Sequence, residues 1–391
     1  MEKQKRIPKR RFREFLEAGE WELSILGRLA VEVNRKAEAG SEAPVMMISS
    51  GEGFIEQKDR YSTDNAGSSL KNYTLIKQGE LSYNHGYSKL RPFGSCFDLR
   101  VPEARIPFVY HTFELPKDDS RFYATYLNNG QFDNELKKRV SSTARMDGLL
   151  NISYADYMSL EICHPNIEEQ TRIGDFCRRL DALISLHQQK LSKLKELKQA
   201  YLTEMFPAPG EKRPRRRFKG FSGDWEEYTL GQLCNEFHSG KFIPADKVYD
   251  RGRYPVYGGN GLRGYTDSFN HDGEYALIGR QGALCGNMNY SKGKAYFTEH
   301  AVAIKANDTA DTSFLYYLCG LMDLGQYSGQ SAQPGLAVSN IILVAALVPE
   351  RNEQIAIGRF FQHFDELIFQ QENKVAKFQS LKQAYLSELF V

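Results

Sequence analysis

PNIEEQTRIGDFCRRLDALISLHQQKLSKLKELKQAYLTEMF, from Pro165 to Phe206, decides the fold because the chain writes it twice. The second copy, PERNEQIAIGRFFQHFDELIFQQENKVAKFQSLKQAYLSELF, runs from Pro349 to Phe390 at a constant offset of 184 residues, and LKQAYL is identical at Leu197–Leu202 and Leu381–Leu386. In the first copy Ile173, Cys177, Leu180, Ile184, His187, Leu191, Leu194, Lys198, Tyr201 and Met205 follow one another at alternating steps of four and three. Ile357, Phe361, Phe364, Ile368, Gln371, Val375, Phe378, Lys382, Tyr385 and Leu389 do the same in the second. Such spacing predicts two long helices with a coiled-coil seam. A lone helix cannot hide this stripe from water, so the two stripes are expected to pack on each other. The core of the seam falls to Leu180, Ile184, Leu191, Leu194 and Tyr201 on one helix. Phe364, Ile368, Val375, Phe378 and Tyr385 supply it on the other.

The polar breaks also repeat, His187 with Gln371 and Lys198 with Lys382. Polar seam residues can fix register; the blander expectation puts them at a wet edge. Outward from the helices, PKRRFREFLEAGEWELSILGRL (Pro8–Leu29) resembles PRRRFKGFSGDWEEYTLGQL (Pro214–Leu233). Each places a basic run, Phe-x-x-Phe, a Trp and a strand-like stretch in one order. The basic runs suit either phosphates or a solvated linker. Phe12, Phe15, Trp21, Phe218, Phe221 and Trp225 are expected to pack rather than stack on bases.

Between these landmarks lie two mixed stretches. Strands are predicted at Val45–Ser49, Tyr73–Lys77, Cys96–Val101 and Phe108–Leu115, with a helix pair over Arg121–Arg139 broken at Gly130. The second stretch gives strands at Tyr254–Gly258, Tyr275–Gly279 and Tyr296–Lys305, a helix at Ser313–Leu324, and a buried strand at Ile341–Val348. Strong turn formers in PAPGEKRPRRR (Pro207–Arg217) mark the joint between halves.

With 391 residues the chain has room for two or three domains, and a net charge of +2 excludes a polycation. Six cysteines without a CxxC pair fit neither a zinc ribbon nor a disulfide framework. The charged opening MEKQKRIPKRRF predicts no signal peptide, and no apolar run has membrane-spanning length. GNGLRG (Gly259–Gly264) matches GxGxxG but runs into YTDSFNHDGEY rather than a helix, so it reads as a turn. Cys163–His164 and Glu299–His300 lack metal-ligand partners at useful spacing. Walker, HExxH and GxSxG motifs, an adenine-methyltransferase Pro-Pro-Tyr/Phe run and a nuclease carboxylate set are all missing from the sequence. Recognition is therefore expected rather than catalysis, with no catalytic residue, metal or cofactor.

The variable stretches do carry loops of Tyr, Asn, Gln, Ser, Arg and Lys, the side chains that meet base edges and phosphates. DNA-contact candidates in the first half are Tyr83, Asn84, Tyr87, Lys89, Arg91, Ser142 and Arg145. In the second they are Asn260, Arg263, Arg280, Gln281, Tyr290, Lys292, Gln330 and Gln333. For any one of them the competing reading is a merely solvated loop.

The doubled EQ-x-x-I-G-x-F…LKQAYL-x-E-x-F segment, the YPVYGGNGLRGYTDSF stretch and the alternation of divergent domains with matched helices together resemble the DNA specificity subunit of type I restriction–modification systems. The resemblance covers essentially the whole chain. It implies an α+β protein in which two mixed α/β target recognition domains are separated by two long helices forming an antiparallel coiled coil, with pseudo-two-fold symmetry. The corresponding boundaries are 1–163 and 218–348 for the recognition domains, 164–206 and 349–391 for the helices, and 207–217 for the basic linker. The resemblance further implies a cytoplasmic, non-catalytic subunit bound to double-stranded DNA and to two methyltransferase subunits, with restriction/translocase subunits as further partners. Adenine-N6 methylation, S-adenosylmethionine and ATP-dependent cleavage would belong to those partners. A helix from Glu168 to Met205 would be a ruler about 57 Å long, with the pseudo-dyad near Gln188–Leu191 and Glu372–Val375. Lys190, Lys193, Lys195, Lys374 and Lys377 would face a partner or water. Two other readings stand beside this one: a self-sufficient methyltransferase or nuclease, and a coiled-coil protein scaffold.

Overall fold

The computed structural model describes residues 5–391 except 39–40, 61–66, 87, 140–149, 151, 283 and 329–334. The chain divides into two compact units, residues 1–186 with 375–391, and residues 187–374. Each therefore takes the beginning of one repeated helix and the end of the other.

In the first unit the strands are β1 (Glu22–Ile25), β2 (Val31–Glu32), β3 (Met46–Ser49), β4 (Gly53–Glu56), β5 (Thr74–Lys77), β6 (Leu81–Asn84), β7 (Ser95–Asp98), β8 (Glu103–Ile106), β9 (His111–Glu114) and β10 (Glu161–His164). They pair as β2-β9-β6-β7 and as the ribbons β1-β10, β3-β4 and β5-β8. The helices are α1 (Leu26–Leu29), α2 (Gln57–Arg60), α3 (Ser120–Tyr126), α4 (Gly130–Arg139), α5 (Tyr154–Met158) and the start of α6 (Ile167–Met205). The expected break at Gly130 falls slightly earlier: α3 ends at Tyr126, a turn over residues 127–129 follows, and Gly130 opens α4. The Asn166 side chain accepts from the Glu169 amide at 2.9 Å and so caps the start of α6.

The second unit holds β11 (Glu226–Thr229), β12 (Cys234–Ser239), β13 (Tyr254–Gly258), β14 (Gly261–Thr266), β15 (His271–Gly279), β16 (Met288–Phe297), β17 (Ala301–Ala306) and β18 (Ala345–Val348), with α7 (Thr312–Leu321), α8 (Val338–Ile341) and most of α9 (Arg351–Leu389). A six-stranded sheet runs β12-β17-β15-β16-β13-β14, and β11-β18 forms a separate ribbon. Two strand expectations change. Tyr296–Lys305 splits at a turn between β16 and β17, where the Ala301 amide reaches Thr298 O. Ile341–Val348 is half helix end and half strand, because the Val344 amide closes a turn on Ile341 O. Periodicity alone does not distinguish a short apolar strand from a buried helix end.

The repeated residues build the same assembly in both units. Arg11 clamps Glu169 at 2.9 and 2.8 Å in the first, and Arg217 clamps Glu353 at 2.7 and 2.7 Å in the second. Next in the motif, Gln170 and Gln354 accept from the amides of Asp119 and Asp311 at 3.0 and 3.1 Å. Those aspartates cap α3 and α7. The glycine of the motif lets each short helix approach. A Cβ at Gly174 would lie 3.0 Å from Asp119 Oδ1, and one at Gly358 only 2.1 Å from Ser313 Oγ. Phe176 and Phe360 meet Phe12 and Phe218 edge-on at 5.6 and 5.5 Å.

LKQAYL-x-E-x-F is the other half of each assembly, arriving in the opposite direction. In the first unit Lys382 pairs with Asp181, Tyr385 packs on Phe176, Glu388 pairs with Arg10, and Phe390 meets Trp21. In the second, Lys198 pairs with Asp365, Tyr201 packs on Phe360, Glu204 pairs with Arg216, and Phe206 meets Trp225. Both tryptophans are buried. Of the polar seam positions, Gln371 is buried and donates to His187 Nδ1 and O, both at 2.8 Å, while Lys198 and Lys382 stay partly exposed within their ion pairs.

Beyond this shared assembly, which includes the ribbons β1-β10 and β11-β18, the units diverge among the described residues, with three small sheets in one and one six-stranded sheet in the other.

Candidate nucleic-acid interface

In the second unit the sequence candidates converge at one end of the six-stranded sheet. β13 and β14 form a hairpin, with Gly258 opposite Gly261. GNGLRG is thus a turn and a strand, with no helix behind it to meet a pyrophosphate. The hairpin tip lies on the end of β15. A Cβ on Gly279 would sit 2.2 Å from Gly259 O, so only glycine permits this approach. The Arg280 amide donates to His300 O at 2.9 Å, and Arg280 O accepts from the Leu336 amide at 2.9 Å. The Arg280 side chain turns inward, with Nε on Leu336 O at 3.0 Å and Nη1 on Ser239 Oγ at 3.3 Å.

Arg280 therefore holds the loops together. Asn260, Arg263 and Gln281 are the exposed polar side chains of this end. Asn289 lies beneath the turn, its Oδ1 2.7 Å from where a Gly261 Cβ would be. Its Nδ2 is buried with no hydrogen-bond partner. Sequence reading passed over Asn289; its only signal is its place immediately before Tyr290 on β16. Tyr290 and Lys292 do not join this group. Tyr290 donates to Glu274 at 2.9 Å and packs against Tyr316 of α7, and Lys292 pairs with Glu274 at 2.7 Å. Burial, then the bond to Glu274, pushes the Tyr290 hydroxyl well above its ordinary range.

The first unit corrects its candidates more severely. Tyr83 is buried, stacked on Tyr157 at 4.1 Å, and donates to Phe93 O at 2.7 Å. Burial raises its hydroxyl far above the usual value. Asn84 Oδ1 accepts from the Gly86 amide at 2.9 Å. Arg91 donates to Asn128 O at 2.6 Å and pairs with Asp133 at 3.0 Å. Of SYNHGYSKLR, Lys89 is exposed, while Tyr83, Asn84 and Arg91 serve the core or the turn. The alternation of this stretch marks β6, whose aromatic faces inward. Tyr87, Ser142, Arg145, Gln330 and Gln333 lie outside the described residues.

No cysteine is disulfide-bonded, and burial raises all six thiols, Cys177 and Cys234 to about 12. Among the described residues no helix is long and apolar enough to cross a membrane.

Residues 222–377, containing this hairpin and sheet, match the family model for the type I restriction modification DNA specificity domain. This part of the chain is similar to type I restriction–modification specificity subunits. A 154-residue stretch is 40% identical to the type I restriction enzyme EcoprrI specificity subunit of Escherichia coli, covering 38% of each chain. A putative type I restriction enzyme specificity subunit of Haemophilus influenzae is 21% identical over 142 residues, 36% of each chain. The matched stretches thus span well under half the length of these curated relatives. The fold likeness is broader. An S subunit of a type I restriction–modification system from M. genitalium superposes with a TM-score of 0.69 over 98% of this chain and 99% of its own, at 16% identity.

Proposed function

We propose that this chain is a type I specificity subunit that reads a bipartite DNA sequence and performs no chemistry itself. Residues 1–163 and 218–348 would each recognise one half-site. The helices 164–206 and 349–391 would pair as an antiparallel coiled coil that keeps the two readers apart across an unread spacer, with 207–217 as the joint. Two methyltransferase subunits would dock on it and carry S-adenosylmethionine and adenine-N6 transfer, with ATP-dependent cleavage in restriction subunits. The setting would be the cytoplasm. The observation that carries this reading is the DNA specificity domain matched at residues 222–377.

For the second half-site the reading group is Asn260, Arg263 and Gln281, held by Arg280 behind them. An Arg can donate two bonds to guanine and a Gln or Asn can bond adenine bidentately, each such pair discriminating by about 1–3 kcal/mol. The test is methylome sequencing of cells expressing the chain with its methyltransferase. A split motif is expected, and exchanging residues 218–348 for another recognition domain should change one half only. Methylation by the single chain, or an unchanged motif after the exchange, would overturn the proposal.

A further inference from the structure

On the face of the second unit's sheet opposite α7, two strands bring together a glutamate and two histidines whose chemistry DNA reading does not use. Glu236 and His238 alternate on β12 and so point to one side. Their neighbours on β17 are Lys305 and Ala303, and Ala303 in turn pairs with Leu277 of β15. His271 opens β15 and stacks on Phe297 at 4.3 Å. One ligand atom from each of Glu236, His238 and His271 lies within 4.8 Å of the other two.

We propose that Glu236, His238 and His271 form a binding site for one divalent transition-metal ion of the zinc class. Three features beyond proximity support it.

The first is the state of the rings. His271 Nδ1 lies 2.7 Å from Asn270 Oδ1. That amide is fixed by its own bonds, Oδ1 accepting from the Phe297 amide at 2.8 Å and Nδ2 donating to Phe297 O at 2.9 Å. Nδ1 must therefore carry the proton. His238 Nδ1 faces Ser239 O at 3.1 Å, a carbonyl that can only accept. In His271 the proton thus sits on Nδ1 and the Nε2 lone pair is left to coordinate, while His238 Nε2 faces the Glu236 carboxylate at 3.4 Å, where an ion would come between them. This outer hydrogen bond is what metal-binding histidines make.

The second is separation. The ring centres are 5.4 Å apart. Two imidazoles on one tetrahedral ion, with about 2.1 Å from metal to nitrogen and roughly 1.1 Å more to each ring centre, would stand about 5.2 Å apart.

The third is the carboxylate. Glu236 Oε2 lies 3.4 Å from His238 Nε2, close to the edge of a tetrahedral ligand set, while Lys305 approaches the other oxygen at 3.6 Å. The Tyr275 hydroxyl donates to the carboxylate at 3.1 and 3.2 Å. Water would complete the coordination. The ion would staple the edge strand β12 to β15 across β17. It would do so one residue before Ser239, which accepts from Arg280. Zinc would thus stiffen the end of the sheet where the exposed polar group lies.

The site is tested on the untagged full chain with Zn²⁺ by titration calorimetry and elemental analysis, and with Co²⁺ by visible absorption. One ion per chain is expected, with ligand-field bands of a nitrogen–oxygen site and a higher melting temperature. His238→Ala, at an exposed position, should weaken binding at least tenfold while leaving the fold intact; His271→Ala should do the same at greater cost to folding. His363→Ala, a control on α9, should bind as the parent does. Absence of saturable binding would overturn the proposal. So would unchanged binding in His238→Ala, or a stability change in that variant without any loss of zinc, which would make the trio an ion pair with a spectator ring.

Discussion

Replacing Glu353 by Gln isolates the contribution of the buried clamp. Glu353 is wholly buried, and Arg217 keeps 16% of its side-chain surface. The parallel bonds at 2.7 Å from Nε and Nη2 are the bidentate geometry in which charge-assisted bonds are strongest. Gln keeps the volume and one acceptor but leaves the guanidinium without its counter-charge. Arg217 retains a bond from Nη1 to Gly223 O at 2.6 Å, and some access to water. Breaking a buried pair from one side costs about 3–5 kcal/mol, and this residual access favours the lower end, about 3 kcal/mol. At about 2–4 °C per kcal/mol for a unit of about 190 residues, the melting temperature should fall by about 6–12 °C. Scanning calorimetry and urea melts of the full chain measure it. The double variant Arg217→Met, Glu353→Leu should recover most of the loss, since an apolar pair has no charge to desolvate. A loss below about 1 kcal/mol in Glu353→Gln, or a double variant as unstable as the single one, would refute the reasoning.

Gly358→Ala places a Cβ 2.1 Å from Ser313 Oγ and 2.9 Å from both Asp311 Oδ1 and the Phe314 amide, and overpacking of this kind costs about 1–3 kcal/mol. At Gly174 the closest approach is 3.0 Å, so the gain of about 1 kcal/mol in helix propensity should leave Gly174→Ala nearer neutral in the same urea melts. Burial raises the Asp119 carboxyl, but bonds from the Arg121 side chain and the Phe122 and Arg121 amides outweigh it, holding the group below its ordinary 3.8. Its contribution is therefore present above that value and lost as pH falls through the lower folded one. The stability gap between the parent and Asp119→Asn should be constant near neutrality and close in acid, as urea melts across pH would record. Arg280→Ala should weaken binding to all DNA sequences and lower the melting temperature. Arg263→Ala should instead relax one base position by about 1–3 kcal/mol, which a binding assay on a randomised half-site separates.

The long helices were fully legible because their evidence is redundant: a 3.5-residue period and a second copy in register. The burial of both tryptophans was legible too, while the break between α3 and α4 falls at residues 127–129 rather than at Gly130, which opens α4. What escaped was whatever depends on the partner. Nothing in SYNHGYSKLR says that Tyr83 packs on Tyr157 seventy-odd residues away, so polar composition was mistaken for a surface loop. Arg280 misled similarly, since its inward turn is set by Leu336 O and Ser239 Oγ, both distant in sequence. The trio of Glu236, His238 and His271 was equally hidden, because the strand order β12-β17-β15, not spacing along the chain, makes it.

The repeated assembly explains which letters the two halves share. Glu169 and Glu353, Gln170 and Gln354, Gly174 and Gly358, and Phe176 and Phe360 each meet a partner of the same chemistry in their own unit. The Lys, Tyr, Glu and Phe of LKQAYL-x-E-x-F do so as well. A helix whose start and end must both fit such a mould has little freedom at those positions. The sheet end bearing Asn260, Arg263 and Gln281 touches none of these residues in the bonds that define it. It can therefore vary without disturbing the mould. The block 218–348 also carries Phe218, Trp225 and Asp311 of the mould, so an exchange whose incoming domain supplies their equivalents to Phe360, Phe206 and Gln354 should fold, and one that lacks them should not.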